Sequence, residues 1–257
     1  MPDKPEKEWF AEWFNHPLYL KVYSHRDDAE AKTCLETIIR KTGLESLTPS
    51  DIQVMDIACG AGRHALEFAR RGFITTANDF SPFLLECTRT QAEKENISIE
   101  CIRQDMRHIT AENAYDLVVQ LFSSFGYFKT KEEDLQVLKN VHKALKRNGW
   151  YILDLINPVC LKKNLVPTSS KIIEDLYVSE KRRIESDCVI KQIIITAPDD
   201  SIGFEESVRL YERETVEDML SSTGLTVENI FGNYEGSAYD QETSPRMMIF
   251  ARKMGNG

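Results

Sequence analysis

The run Val54-Met55-Asp56-Ile57-Ala58-Cys59-Gly60-Ala61-Gly62-Arg63-His64 narrows the fold choices more than any other stretch of the chain. An apolar segment ends in an acid, two glycines follow, and a helical pattern begins at once. Glycine lacks Cβ and tolerates dihedrals that other residues avoid, so such a turn lets the backbone approach a ligand closely. A second short β-rich run, 73–77, leads into Asp79. An acid about 20 residues beyond a glycine turn is placed to hydrogen-bond a ribose diol. The spacing favours a nucleotide-type ligand, with an unliganded strand–turn–helix as the plain alternative.

Periodicity along the chain supports an α/β sheet. Residues 1–50 read as two helices, one aromatic-rich over 8–14 and one over 26–42 that Gly43 closes. Strands follow at 52–57, 73–78, 97–102, 115–121 and 150–156, with helices at 63–71, from Pro82 behind a Ser81 cap, and at 134–145. This alternation predicts a doubly wound, Rossmann-like parallel sheet whose ligand lies beyond the carboxyl ends of the strands. After Pro158 the rhythm changes to three β-rich runs, 171–179, 182–196 and 204–211, read as a small antiparallel insertion after the fifth strand. A helix over 215–223 and strands over 225–231 and 247–253 complete a seven-stranded sheet. The expected divisions are an N-terminal helical lid (1–50), a cofactor-binding core (51–160), the β insertion (161–211) and the C-terminal part of the core sheet (212–257).

Charge and cysteines restrict the function classes. A net charge of −9 counts against a protein that neutralises a nucleic-acid backbone. The six cysteines form no Cys-x-x-Cys pair, so no metal site is expected. No apolar run reaches membrane length and no signal peptide is apparent, which points to a reduced, cytoplasmic enzyme; a monomer or homodimer is expected.

Two ligands compete for the glycine turn. Gly60-x-Gly62-x-x-Ala65 formally satisfies the dinucleotide fingerprint, which would make the chain an NAD-type oxidoreductase. A pyrophosphate wants helix N-terminal amides and no nearby anion, however, and Asp56 stands at the strand end. A ligand carrying an ammonium and a sulfonium suits that carboxylate better. The whole run resembles motif I of class I S-adenosylmethionine-dependent methyltransferases, with Asp56, Ala58, Gly60 and Gly62 in the matching positions.

The resemblance implies further roles. Asp79 would hold the ribose hydroxyls, or else simply favour the following helix N-terminus. Phe80 would pack on adenine or in the core. Gln104-Asp105-Met106 would border the adenine, with Asp105 accepting from the exocyclic amine. Leu121 and Phe122 open the loop Leu-Phe-Ser-Ser-Phe-Gly-Tyr-Phe, which resembles that of glycine/sarcosine N-methyltransferases and amino-sugar N,N-dimethyltransferases. Segment 19–26 resembles the lid of those enzymes, implying that Tyr23 and Arg26 close over the cofactor, Arg26 on its carboxylate. His64 reads as a helix-surface residue. No catalytic residue is forced, because methyl transfer needs alignment more than a base. Tyr127, Tyr239 and Arg246 are the candidates. The implied function is methyl transfer from S-adenosylmethionine to a small molecule, at nitrogen first and oxygen next. A non-catalytic S-adenosylmethionine-binding protein is the remaining alternative. The insertion is expected to roof the acceptor, or else to form a dimer interface.

Overall fold

The computed structural model describes residues 8–24 and 28–255. Three short-to-medium helices come first: α1 (Trp9–Trp13), α2 (Leu18–Val22) and α3 (Asp28–Thr42). The sequence predicts two here; His16-Pro17 breaks the aromatic segment from the residues that form α2. Gly43 follows α3 with φ +74°, the left-handed conformation that ends many helices.

The core then alternates β1 (Gln53–Ile57), α4 (Arg63–Arg70), β2 (Ile74–Asp79), α5 (Pro82–Glu95), β3 (Glu100–Arg103), β4 (Tyr115–Gln120), α6 (Lys131–Ala144) and β5 (Leu145–Ile156). Ser81 caps α5 by accepting from the N–H of Leu84, and Pro82 takes the first helical position. Thr130 and Glu133 form a reciprocal capping box on α6, so this helix starts before the predicted 134. β5 begins at Leu145, earlier than expected, because Asn148 adopts φ +63° inside the strand instead of ending a helix.

After α7 (Pro158–Asn164) come β6 (Thr168–Ile173), β7 (Leu176–Glu185), β8 (Cys188–Thr196) and β9 (Ser201–Arg209), then α8 (Arg213–Ser222), β10 (Leu225–Phe231) and β11 (Arg246–Lys253). The main sheet runs β10-β11-β5-β4-β1-β2-β3, with β11 antiparallel to both neighbours. This is the seven-stranded, doubly wound arrangement expected from the sequence.

Consecutive residues of each central strand serve opposite cores, as the pleat dictates. Met55, Ile57, Val118, Leu153 and Ile249 face α6 and α8. Val54, Leu117, Val119, Ile152 and Phe250 face α3 and α4. Both faces are therefore dry, which leaves the sheet's strand ends as the place for a ligand.

The insertion is a four-stranded antiparallel meander, β6-β7-β8-β9, not three strands. Left-handed Glu174 and Ser186 turn the chain inside runs that look continuous in sequence. Its apolar face (Leu176, Val178, Ile193, Ile195) packs against Trp13 and Val22 of α1 and α2. Burying side chains of this size contributes roughly 1.5–3 kcal/mol each. Trp13 is wholly buried, its ring 4.3 Å from that of Phe204. Its indole N–H donates to Glu206 Oε1 at 2.7 Å, and the Tyr23 hydroxyl donates to the same oxygen at 2.5 Å. Lys191 Nζ lies 3.4 Å from Glu206 and 3.5 Å from Glu180. The meander thus grips the N-terminal helices through an apolar patch and a buried polar knot.

Candidate functional site

A cavity of about 510 Å³ opens at the carboxyl ends of β1, β2 and β4, within the size range of about 300–1,000 Å³ common for small-molecule sites. One half is built by the β1–α4 turn, Asp79-Phe80 and the 104–106 segment. The other half comes from α1, α2 and the loop leaving β4.

The β1–α4 turn carries three residues at positive φ: Ala58 at +54°, Gly60 at +60° and Gly62 at +82°. The two glycines do different work. A Cβ on Gly60 would meet nothing within 4 Å, and the residue lines the cavity. A Cβ on Gly62 would stand 2.6 Å from Thr88 Cγ2, so this glycine lets α4 start against α5 and does not line the cavity.

Asp56 is 1% exposed, and its Oδ2 has no hydrogen-bond partner. Burial, then the neighbouring charge of Asp79, pushes its carboxyl up to about 8. Asp79 is also buried, which raises its pKa. Its two oxygens accept N–H groups, Oδ2 from Gly60 at 2.8 Å and Oδ1 from Ser81 at 2.7 Å. The acid at the end of β2 thereby fixes the glycine turn at the end of β1.

Asp105 lines the cavity with its carboxylate already forked by Arg107, whose Nη2 lies 2.7 Å from Oδ2 and whose backbone N–H donates to Oδ1 at 2.8 Å. Burial works to raise its pKa, and the bonds from Arg107 outweigh it, holding the carboxyl below the usual range. Arg107 also reaches Glu133 (2.6 Å) and Glu8 (3.2 Å), and stacks 4.2 Å from the Phe128 ring centroid. It ties the 104–106 segment to α6 and to the residue preceding α1. The sequence reading passed over Arg107; the available signal was its position two residues after Asp105, where a short-range carboxylate fork is possible.

The loop leaving β4 holds two successive non-glycine residues at positive φ, Phe122 at +65° and Ser123 at +59°. The Asp154 carboxylate at the end of β5 accepts the Phe122 N–H at 2.8 Å, and the Asp154 carbonyl accepts the Ser123 N–H at 3.0 Å. Arg246 forks Asp154 (Nε–Oδ1 2.9 Å, Nη2–Oδ2 2.7 Å) and donates to Ser123 Oγ at 2.8 Å. Tyr234 adds a fourth donor at 2.8 Å.

The structure brings most of the singled-out residues to one cavity. Tyr23, Asp56, Ala58, Gly60, Asp79 and Phe80 line it, as do Gln104, Asp105, Met106, Leu121, Phe122 and Tyr127. Arg26 lies outside the described residues. Tyr239 and Arg246 are not among the lining residues. Tyr239 packs half-buried against the α6–α8 core. Arg246 is spent on Asp154 behind the loop, where burial of that carboxylate demands a partner. His64 is a correction as well: it is 6% exposed and lines the cavity, because α4 starts inside the site. The insertion contributes no lining residue, so it does not roof the cavity directly; α1 and α2 stand between. Phe10 and Phe14, of α1 and its C-terminal end, are lining residues the sequence did not flag, and Tyr19 and Leu20 join them from the lid segment 19–26.

Among the described residues no group of three or more His, Cys, Asp or Glu is arranged to hold a metal, and no helix is long and apolar enough to cross a membrane.

Comparison with known proteins agrees with this geometry. Residues 54–149 match the family described as "Methyltransferase domain". A Geobacillus sp. (strain WCH70) protein named as a methyltransferase is 22% identical over 210 residues, covering 78% of this chain and 84% of the relative. The dTDP-3-amino-3,4,6-trideoxy-alpha-D-glucopyranose N,N-dimethyltransferase of Streptomyces venezuelae is 23% identical over 204 residues, covering 75% and 83%. The crystal structure of an S-adenosylmethionine-dependent methyltransferase from Clostridium acetobutylicum ATCC 824 superposes with a TM-score of 0.79 at 19% identity, covering 93% of this chain and 97% of that one. Residues 54–149 thus carry a methyltransferase domain, set in a chain with the fold of class I S-adenosylmethionine-dependent methyltransferases.

Proposed function

We propose that the chain methylates a small-molecule acceptor at nitrogen. S-adenosylmethionine supplies an activated methyl group, which the acceptor's lone pair takes as the carbon–sulfur bond breaks. The residues present fit that donor. Gly60 offers bare backbone to the cavity, and the unpartnered Oδ2 of buried Asp56 matches a cationic ammonium, directly or through water. The same oxygen disfavours a dinucleotide's pyrophosphate. Asp79 would hold the ribose diol, the 104–106 segment would border the adenine, and Tyr23 with the N-terminal helices would close over the donor.

The observation that carries nitrogen over oxygen is the make-up of the wall opposite these acids. Among the described residues, α1, α2 and the loop leaving β4 supply no carboxylate or imidazole to the cavity. A hydroxyl acceptor needs a base to remove its proton as it reacts, whereas a neutral amine attacks unaided. The chain's part is to align acceptor with donor and exclude water, worth up to about 7–11 kcal/mol in favourable cases. The amino-sugar acceptor of the Streptomyces venezuelae relative is consistent with nitrogen.

The test is S-adenosylhomocysteine formation with amines and their hydroxyl analogues, for example phenethylamine against 2-phenylethanol. Turnover of the amine alone is expected. Preferential turnover of the hydroxyl analogue would overturn the nitrogen assignment.

A further inference from the structure

We infer that the part of the acceptor that does not react is an apolar, ring-bearing body without a carboxylate or phosphate. This inference rests on the methyl-transfer reading of the cavity and specifies its acceptor.

The two halves of the cavity differ sharply in charge. Among the described residues, every lining Asp, Arg and His belongs to the strand-end turns or to α4. The opposite wall consists of Leu, Phe, Tyr and Ser side chains from α1, α2 and residues 121–128, with no charged side chain among the described residues. Its rings form one continuous surface. Phe14 lies 5.0 Å from Tyr19 and 5.8 Å from Tyr127, and Phe10 lies 5.8 Å from Phe128 and 6.3 Å from Tyr127.

The cations behind this wall are already matched to acids. Lys191 is paired with Glu206 and Glu180, and Arg107 with Asp105, Glu133 and Glu8; across the cavity, Arg63 of α4 is paired with Glu30. The polar atoms in the wall are hydroxyls, and Tyr23 and Ser124 commit theirs to Glu206 and to the Leu121 carbonyl.

An anionic group pressed against such a wall would lose its hydration with no cation among the described residues of the wall to replace it, which is costly. A neutral amine on an apolar ring meets no such cost. After transfer the nitrogen carries a positive charge until it sheds one proton to water, and ring faces favour a cation in the interval. The acceptor therefore differs in class from a nucleotide-linked sugar such as the one named for the Streptomyces venezuelae relative.

Matched pairs test this. Phenethylamine against phenylalanine, and tryptamine against tryptophan, keep ring and amine and differ by the carboxylate. Each is titrated into the protein saturated with S-adenosylhomocysteine and assayed for turnover with S-adenosylmethionine. The amine of each pair should bind at least about tenfold tighter, which is about 1.4 kcal/mol, and turn over faster. Phe14→Arg should shift the preference within each pair toward the amino acid. Equal or tighter binding of the amino acids to the native protein, or no binding of either amine, overturns the inference alone. Failure of S-adenosylhomocysteine to bind would remove the methyl-transfer reading and this inference with it.

Discussion

The carboxylate of Asp154, wholly buried at the end of β5, accepts the backbone N–H of Phe122 at 2.8 Å and so holds a bulky residue at φ +65° beside the cavity. Left-handed backbone costs a non-glycine residue about 1–3 kcal/mol and persists only where its surroundings impose it. Here one carboxylate imposes it on Phe122, and Arg246 and Tyr234 keep that carboxylate in place.

Arg246→Met should lower unfolding free energy by about 3–5 kcal/mol, because it leaves Asp154 buried without its ion partner. Urea denaturation reads this. Adding Asp154→Leu should not restore stability, since the Phe122 N–H would then lose its acceptor. Full recovery in the double variant would show that the pair is only a charge pair.

The two glycines of the β1–α4 turn should separate binding from folding. Gly60→Ala should fold, with a strain cost of about 1 kcal/mol, and lose S-adenosylhomocysteine affinity because its Cβ enters the cavity. Gly62→Ala should destabilise by about 1–3 kcal/mol through overpacking against Thr88. Adding Thr88→Ala should recover part of that loss. Calorimetric titration and thermal melting of the three proteins distinguish these outcomes.

Asp56 should make both stability and ligand affinity depend on pH. Its carboxyl is pushed up to about 8 in the folded chain, against about 3.9 in an unfolded one. Between these values the folded state holds a proton that the unfolded state has released, so stability falls as pH rises through the window. A cation beside the carboxylate favours the ionised form, so binding releases that proton and S-adenosylhomocysteine affinity should rise with pH toward about 8. Asp56→Asn should flatten both profiles and weaken binding. Denaturation and calorimetry across about pH 5 to 8 check the slopes, whose limit is about 1.4 kcal/mol per pH unit.

Glu206→Ala should loosen α1 and α2 without unfolding the sheet. It removes the shared acceptor of Trp13 and Tyr23 and takes from Lys191 one of its two acidic partners, Glu180 remaining. Limited proteolysis should cut sooner within residues 8–24. If cleavage is unchanged, the apolar patch alone holds these helices.

The sheet was legible because its signals are local. The Asp56-to-Gly62 turn, the Ser81-Pro82 cap and the alternating strands each carry their cause within a few residues. The acceptor side was not. Phe10 and Phe14 lie in an aromatic-rich helical run with no local mark of a site, and only tertiary packing turns them toward a cavity built by residues far along the chain. Arg246 illustrates the opposite error. It is a catalytic candidate by sequence, yet its guanidinium serves Asp154, 92 residues earlier, a partner that no spacing rule indicates. The insertion was placed correctly after β5, but its turn at Glu174 uses a residue that local propensity does not mark as a breaker, and the Ser186-Asp187 turn lies within one β-rich run.

The knot between Trp13 and Glu206 spans 193 positions of sequence. Residues 56–122 supply the glycine turn and the three acids, whereas the aromatic wall gains its backing only when β9 has formed. On a ribosome, where the N-terminal end emerges first, the glycine turn and its acids leave the exit tunnel well before the residues that back the aromatic wall, so that wall is the last part of the cavity to be fixed.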